Sequence, residues 1–210
     1  MTQIFQDSRF PRLFSLEECE LDRSTTSREA FKPFRIGQDT LHCVASPMQV
    51  IGHPTIGLWI DGACRGNGTP SARGAYGVYF GNGSPFNCSG TVPLNEPQTS
   101  QRAEIRSALA ALDQIEAVNA RHPEFELFIV ASDSAYLVNS ITDYIQTWKQ
   151  NGWRTSEGQD VANRDLWERL DTRLTRLSNQ ENDIDVLFWH VDRSQNIEAD
   201  RLANQVLDRA

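Results

Sequence analysis

No stretch of the 210-residue chain approaches the roughly 18 uninterrupted apolar residues of a membrane span, and the opening MTQIFQDSRFPRLFSLEECE has no apolar signal core and turns acidic early. A soluble, intracellular protein is expected, in the cytoplasm or the nucleus. Positive charge is scarce too: 20 Lys and Arg face 28 Asp and Glu, a formal charge of -8. No global positive field advertises a polyanionic partner, so any nucleic acid must be held locally. Cysteine is sparse, and Cys19, Cys43, Cys64 and Cys88 form no CxxC or CxxH unit. That argues against a zinc centre or a disulfide framework and leaves free thiols as the expected state. Internal repeats and low-complexity tracts are missing, which leaves one globular domain with an appendage.

The appendage is residues 1–54. They mix Pro11, a Ser/Thr run at Ser24 to Ser27, Pro33, Gly37, Pro47 and Pro54 with no sustained helical or alternating period. Their net charge is -1, so residues 55–210 carry -7. This segment reads as an extension that is partly disordered and partly docked on the domain, with a short strand within Leu41 to Ile51 and no part in catalysis.

Regular patterns begin at Thr55. Ile56 to Ile60 reads as a strand running into a turn at Asp61-Gly62, Ala75 to Phe80 as a second strand, Gly81 to Ser84 as a hairpin turn and Phe86 to Val92 as a third strand. Ser100 reads as the cap of a helix with Ile105, Ala108, Leu109, Leu112 and Ile115 on one face. Phe125 to Ala131 reads as a buried strand, Tyr136 to Trp148 and Asn163 to Leu177 as helices, Ile184 to Val191 as the last strand and Ile197 to Leu207 as the last helix. Three hairpin-paired strands followed by strands reached through helices predict an α/β fold with a mixed sheet flanked by helices.

Four acids fall at the ends of these elements: Asp61 after the first strand, Glu104 in the first turn of its helix, Asp133 beyond the fourth strand and Asp200 near the start of the last helix. Carboxylates gathered at the carboxyl edge of such a sheet repel unless a cation lies between them. Hard oxygen donors suit Mg²⁺ or Mn²⁺, and two such ions about 3.5 to 4 Å apart would serve an in-line phosphoryl displacement. Taken singly, each acid also reads as a solvated surface residue or as helix-dipole compensation.

The motifs around the acids resemble the type 1 ribonuclease H family from about Leu58 to Asp208. They are Ile60-Asp61-Gly62-Ala63-Cys64 with Asn67-Gly68, Gln101-Arg102-Ala103-Glu104, Ser132-Asp133-Ser134-Ala135-Tyr136, Trp148 to Thr155, and Asn196 to Ala203. The resemblance implies an RNase H-like fold with a five-stranded mixed sheet, and endonucleolytic cleavage of the RNA strand of RNA/DNA hybrids, leaving 3′-hydroxyl and 5′-phosphate ends. It implies two Mg²⁺ ions, with Mn²⁺ as a substitute, and a metal-activated water as nucleophile. Asp61 would bridge both ions, Glu104 and Asp133 would help hold one, and Asp200 the other.

The same resemblance implies substrate contacts. The loop from Cys64 through Asn67 to Gly68 and the turn from Gln101 to Glu104 would lie along the RNA minor groove, where a 2′-hydroxyl can be read. The DNA strand would lie near Tyr136, Trp148 and Ser156, and Thr99 and Asn163 match positions that cradle a DNA phosphate. Trp148 and Trp153 would either cover the deoxyribose or be core, and for Trp153 core is the favoured reading.

The chain also departs from the family. His190 to Asn196 is a short link with no His between Val191 and Asp200, whereas many members carry a Gly/His-rich loop there. His190 reads as a strand residue, and Arg193 either as a partial replacement for the missing cation or as an exposed loop arginine. In KQNGWRTSEGQD, the counterpart of a basic protrusion, Glu157 and Asp160 offset Lys149 and Arg154, and Pro97 stands where some relatives carry a phosphate-binding Arg. Hybrid binding is therefore expected to be weak and salt-sensitive. A monomer with no obligate protein partner is expected. The alternatives are a catalytically weak nucleic-acid-binding module on the same fold and another phosphoryl-transfer enzyme of the superfamily.

Overall fold

The computed structural model describes residues 13–14, 26–36, 39–44, 54–179 and 183–209. In chain order the elements are α1 (Ser27–Ala30), β1 (Phe31–Ile36), β2 (Asp39–Val44), β3 (Thr55–Arg65), β4 (Arg73–Tyr79), β5 (Cys88–Thr91), α2 (Ser100–Arg121) and β6 (Leu127–Ser132). They continue as α3 (Ala135–Asn139), a π-helical turn Ser140–Tyr144, α4 (Ile145–Gln150), α5 (Arg164–Leu177), β7 (Asp185–His190), a 3₁₀ turn Arg193–Gln195 and α6 (Ile197–Arg209). No helix among the described residues is long and apolar enough to cross a membrane.

The five expected strands form a mixed sheet in the order β5-β4-β3-β6-β7, with β3, β4 and β5 antiparallel and β6 and β7 parallel to β3. β3 is central because both of its faces are apolar, Ile56, Leu58 and Ile60 on one and Trp59 on the other. The hairpin β1–β2 adds two more strands, joined to β3 through His42↔Gly57 and Cys43↔Ile56. The strand expected within Leu41 to Ile51 is thus β2, which ends before Pro47; residues 45–51 lie outside the described residues, as does Cys19. Cys64 and Cys88 are free thiols.

Several expected boundaries move. Asp61-Gly62 is not a turn, since β3 runs on to Arg65, paired with Arg73 of β4. The link from β4 to β5 is wider than a GNGS hairpin: Asn87 closes it, accepting from the Phe80 amide and donating to the Gly81 carbonyl, both at 2.7 Å. Phe86 leaves the ladder to pack on Phe80, so the third strand begins at Cys88. The cap of α2 is Thr99, whose hydroxyl accepts from the Arg102 amide, rather than Ser100. Glu104 consequently lies in the second turn of that helix, not the first. The helix expected from Tyr136 to Trp148 is real but interrupted by the π-helical turn, where the Thr142 hydroxyl donates to the Val138 carbonyl.

The first face of the sheet is covered by α2 and α5, whose Ile105, Leu112, Ile115, Trp167, Leu170 and Leu174 share one core with β3, β4 and β6. α6 covers β3, β4 and β5 on the second face. The remainder of that face is covered from the N-terminal segment by Phe14, Ala30 and Phe31, all buried. Phe31 lies across Gly57 so closely that a Cβ there would be 2.5 Å from its ring, and meets Trp59 edge-on at 5.9 Å. The Phe14 amide donates to the Phe188 carbonyl at 2.9 Å, on the outer edge of β7.

Phe31→Ala is expected to cost about 3 to 5 kcal/mol in urea unfolding, the usual range for deleting a buried phenyl ring. A loss below about 1 kcal/mol would mean that the N-terminal segment lies against the sheet without sharing its core.

Candidate active site

Two glycines let two helices approach the central strands from opposite faces. A Cβ at Gly62 on β3 would collide with the backbone of Ala103 and Glu104, so α2 can cross there only over a glycine. Gly77, the cross-strand partner of Asp61 on β4, does the same for α6: a Cβ would collide with the Ala199 carbonyl and stand 2.8 Å from the Ala203 amide. Glu104 and Asp200 are carried on these two helices.

Asp61 is 6% exposed, in mid-strand. Because β3 and β6 run parallel with Trp59 level with Ala131, Asp133 emerges level with Asp61. Asn196 then binds the pieces together. It is 1% exposed, and its side-chain amide donates to the Ile60 carbonyl at 2.9 Å and to Asp133 Oδ1 at 2.6 Å. Its own carbonyl accepts the Asp200 amide at 3.1 Å, which opens α6. Arg193, from the short link, reaches Asp200 at 3.5 Å. All four acids selected from the sequence therefore gather at one place, and Arg193 is among them. His190 sits on β7, at its exposed end beside Ser132.

The gathering is electrostatically costly. Burial first, then the charges of Asp133 and Asp200 and a hydrogen bond shared with Asp133, push the Asp61 carboxyl up to about 7. Arg193 opposes the rise. Glu104 is driven well above the usual carboxylate range by burial, then by Asp61 and Asp133, against the Gly62 N–H that donates to it and against Arg193. Glu104 Oε2 is buried with no hydrogen-bond partner. An acceptor-only group left so is waiting for a proton or a cation.

Around this centre the expected substrate contacts fall in two groups. Cys64, Asn67 and Gln101 share one rim: the Cys64 thiol donates to the Gln98 carbonyl at 3.5 Å, Asn67 Nδ2 to the Ser100 hydroxyl at 3.4 Å, and Gln101 is exposed in the first turn of α2. Tyr136 and Trp148 form the second group with Trp167, at ring separations of 5.6 and 6.0 Å from it. Tyr144, which sequence reasoning passed over, extends this surface; it is 43% exposed and 5.9 Å from Trp148. Trp153 is buried in the core as expected, and Ser156 is exposed beyond it. Thr99 is occupied as the cap of α2, and the Asn163 side-chain oxygen accepts from Arg102 at 3.2 Å. Arg102 is itself clasped by Glu96 at 2.7 Å and Asp165 at 2.6 Å. Asn196 was missed as a site residue because a polar side chain just before a helix reads as a cap; only folding brings its amide across to β3 and β6.

The family model for RNase H matches residues 53–208. The chain belongs to the RNase H family. It is 38% identical over 152 residues to ribonuclease H1 of Rattus norvegicus, a match covering 70% of this chain and 48% of that protein. It thus spans about half the length of that relative. The ribonuclease H of Alkalilimnicola ehrlichii is 34% identical over 156 residues, covering 71% of this chain and 92% of the relative. Among solved structures, LC11-RNase H1 in complex with an RNA/DNA hybrid superposes with a TM-score of 0.51 at 19% identity, over 73% of this chain and 96% of that one. That likeness supports the family fold.

The donor set fits a hard divalent cation: carboxylate oxygens only, one of them buried and unpartnered, with mutual repulsion that a cation would relieve. Among the described residues no three His, Cys, Asp or Glu side chains already form a metal cage. Mg²⁺ does not require one, since it keeps several waters and takes oxygens from its substrate.

In the metal-free protein, folding binds protons at Asp61 more tightly than the unfolded chain does, so this group's stabilisation is complete below about 3.8 and is lost as pH rises toward about 7. Asp61→Asn should therefore gain Tm over wild type, by a margin that widens between about pH 5 and pH 8 in melts without metal. Mg²⁺ should raise the wild-type Tm at the upper end of that range and leave the variant unmoved. A constant margin would mean that Asp61 is not under this repulsion.

Proposed function

We propose that the chain hydrolyses the RNA strand of RNA/DNA hybrids endonucleolytically, with Asp61, Glu104, Asp133 and Asp200 holding two Mg²⁺ ions and with 3′-hydroxyl and 5′-phosphate ends as products. The observation that supports this best is the convergence of four acids, from β3, α2, the end of β6 and α6, on one point over Gly62 and Gly77. Isolated surface acids do not raise one another's pKa or leave an oxygen buried without a partner.

Two ions bound there would supply a water of lowered pKa and neutralise charge on the scissile phosphate. The protein's part is to hold the acids ready. Asp61, central among them, would serve both ions; Glu104 and Asp133 would serve one and Asp200 the other. Asn196 keeps Asp133 aimed by donating to it at 2.6 Å. Arg193, which reaches Asp200, offsets part of the repulsion in place of the longer His-bearing loop of other members.

The rim of Cys64, Asn67 and Gln101 faces the RNA strand in this reading and senses its 2′-hydroxyls. The aromatic surface of Tyr136 and Trp148, with Ser156 beyond it, takes the DNA strand, aromatic faces being sequence-tolerant supports. Thr99 and Asn163 flank a DNA phosphate, where Arg102 brings little net charge because Glu96 and Asp165 already clasp it. Lys149 pairs with Asp171 of α5 at 2.8 Å and Arg154 with Asp160 at 2.9 Å, so both cations of the segment in place of the basic protrusion already face a carboxylate. Since phosphate neutralisation dominates nucleic-acid affinity, the hybrid Kd at physiological salt is expected at about micromolar or weaker.

The test is cleavage of an end-labelled RNA/DNA hybrid in Mg²⁺ and, separately, in Mn²⁺, with duplex RNA and duplex DNA as controls. Wild type should cut the hybrid alone, and Asp61→Asn and Asp133→Asn should lose the activity while keeping a cooperative melt. Equal activity in these variants would refute the site. Binding without cleavage in either metal would favour the binding-module reading.

A further inference from the structure

We propose that Phe14 and Phe31, from the segment preceding the family domain, are positioning residues for the site: they seat the link between β7 and α6 so that Asn196 and Asp200 meet Asp61 and Asp133. The activity arm of this inference rests on the proposed function; the structural arm does not.

The second-face cluster lies directly behind the carboxylates. Side chains alternate along a strand, so Trp59 shares a face with Asp61 two residues on, and Ala131 stands two residues before Asp133. Ala199, the neighbour of Asp200, belongs to the same buried cluster, as does Val191 at the start of the link. Phe31 meets Trp59 at 5.9 Å and Trp189 at 6.3 Å, while Phe14 lies 5.2 Å from Trp189 and is hydrogen-bonded to β7. The two rings therefore contact Trp59, two residues before Asp61 on β3, and Trp189 on β7, the strand that leads into the link.

Besides the Asn196 side chain, which donates to the Ile60 carbonyl and to Asp133, the link is seated by apolar contact. Asp192, Arg193 and Ser194 are exposed, Ile197 is 53% exposed, and the backbone between makes a single 3₁₀ turn. Its apolar anchors are Val191 on one side and Ala199 on the other, both in the cluster that Phe14 and Phe31 complete. Glu104 arrives from the opposite face on a 22-residue helix embedded in the other core, and is independent of this seating. Loosening the rings should displace Asn196 and Asp200 while leaving Glu104 in place.

The experiment uses the full chain with Phe14→Ala and, as the conservative variant, Phe14→Leu. Hydrogen exchange without metal reads the seating directly, and hybrid cleavage reads its consequence. In Phe14→Ala, amides of residues 191–200 should exchange about tenfold faster while those of α2 stay as in wild type. kcat should fall about tenfold with KM within about twofold, as expected of a small misplacement at a reacting centre. Phe14→Leu, which retains most of the apolar contact and serves if the alanine variant does not fold, should restore both most of the way. Unchanged exchange in residues 191–200, or an equal rise in α2, would overturn the inference, as would a faster-exchanging link with undiminished kcat. Should wild type fail to cleave hybrid at all, the proposed function falls and the exchange data still decide the seating.

Discussion

Everything at the site depends on how closely α2 and α6 can approach the two central strands. Gly62 admits the backbone of Ala103 and Glu104 on one face, and Gly77 admits the backbone of Ala199 and Ala203 on the other. Because Gly77 is the cross-strand partner of Asp61, and Gly62 its chain neighbour, both approaches centre on the same aspartate. A methyl group at either position would push a helix, and the acid it carries, outward. Backbone contact through glycine is a stiff constraint, since unlike a side chain it has no rotamer to yield.

That proximity is unfavourable in the protein alone. Burial, and then the charges of neighbouring acids, raises the Asp61 carboxyl to about 7 and Glu104 well above its ordinary range against the opposing charge of Arg193, and Glu104 Oε2 finds no donor. The fold accepts this because the surrounding structure over-determines it: apolar cores on both faces of the sheet and the Asn196 bridge to β3 and Asp133. Unfavourable proximity of this kind persists only where the surrounding structure supports it.

The N-terminal segment enters the same account. α6 spans only part of the second face, and Phe14, Ala30 and Phe31 complete the rest, next to Trp59 and Trp189. The described part of the segment is docked on the domain, its aromatic rings sharing a core with residues that flank the acids. The charge pattern shows a comparable economy: Arg102, Lys149 and Arg154 each face a carboxylate within the chain, so basic residues suited to nucleic acid are already partly engaged.

Much of this was legible in the sequence. Alternating and helical periods located the strands and helices of residues 55–210, and the motif blocks identified the four acids, because periodicity and short motifs are local properties. Boundaries set by competition between neighbours were not legible: Thr99 rather than Ser100 caps α2, Phe86 prefers the core to the ladder, and β3 continues through Gly62. Asp61-Gly62 read as a turn because glycine usually marks one, whereas here it marks the crossing of a helix that begins almost 40 residues later. The reach of Asn196 and the docking of Phe14 and Phe31 join residues far apart in the chain. The sequence by itself determined which elements form and which acids to watch. Only the tertiary structure decided how near those acids stand and what holds them there, since that depends on backbone approach and long-range packing that no local pattern encodes.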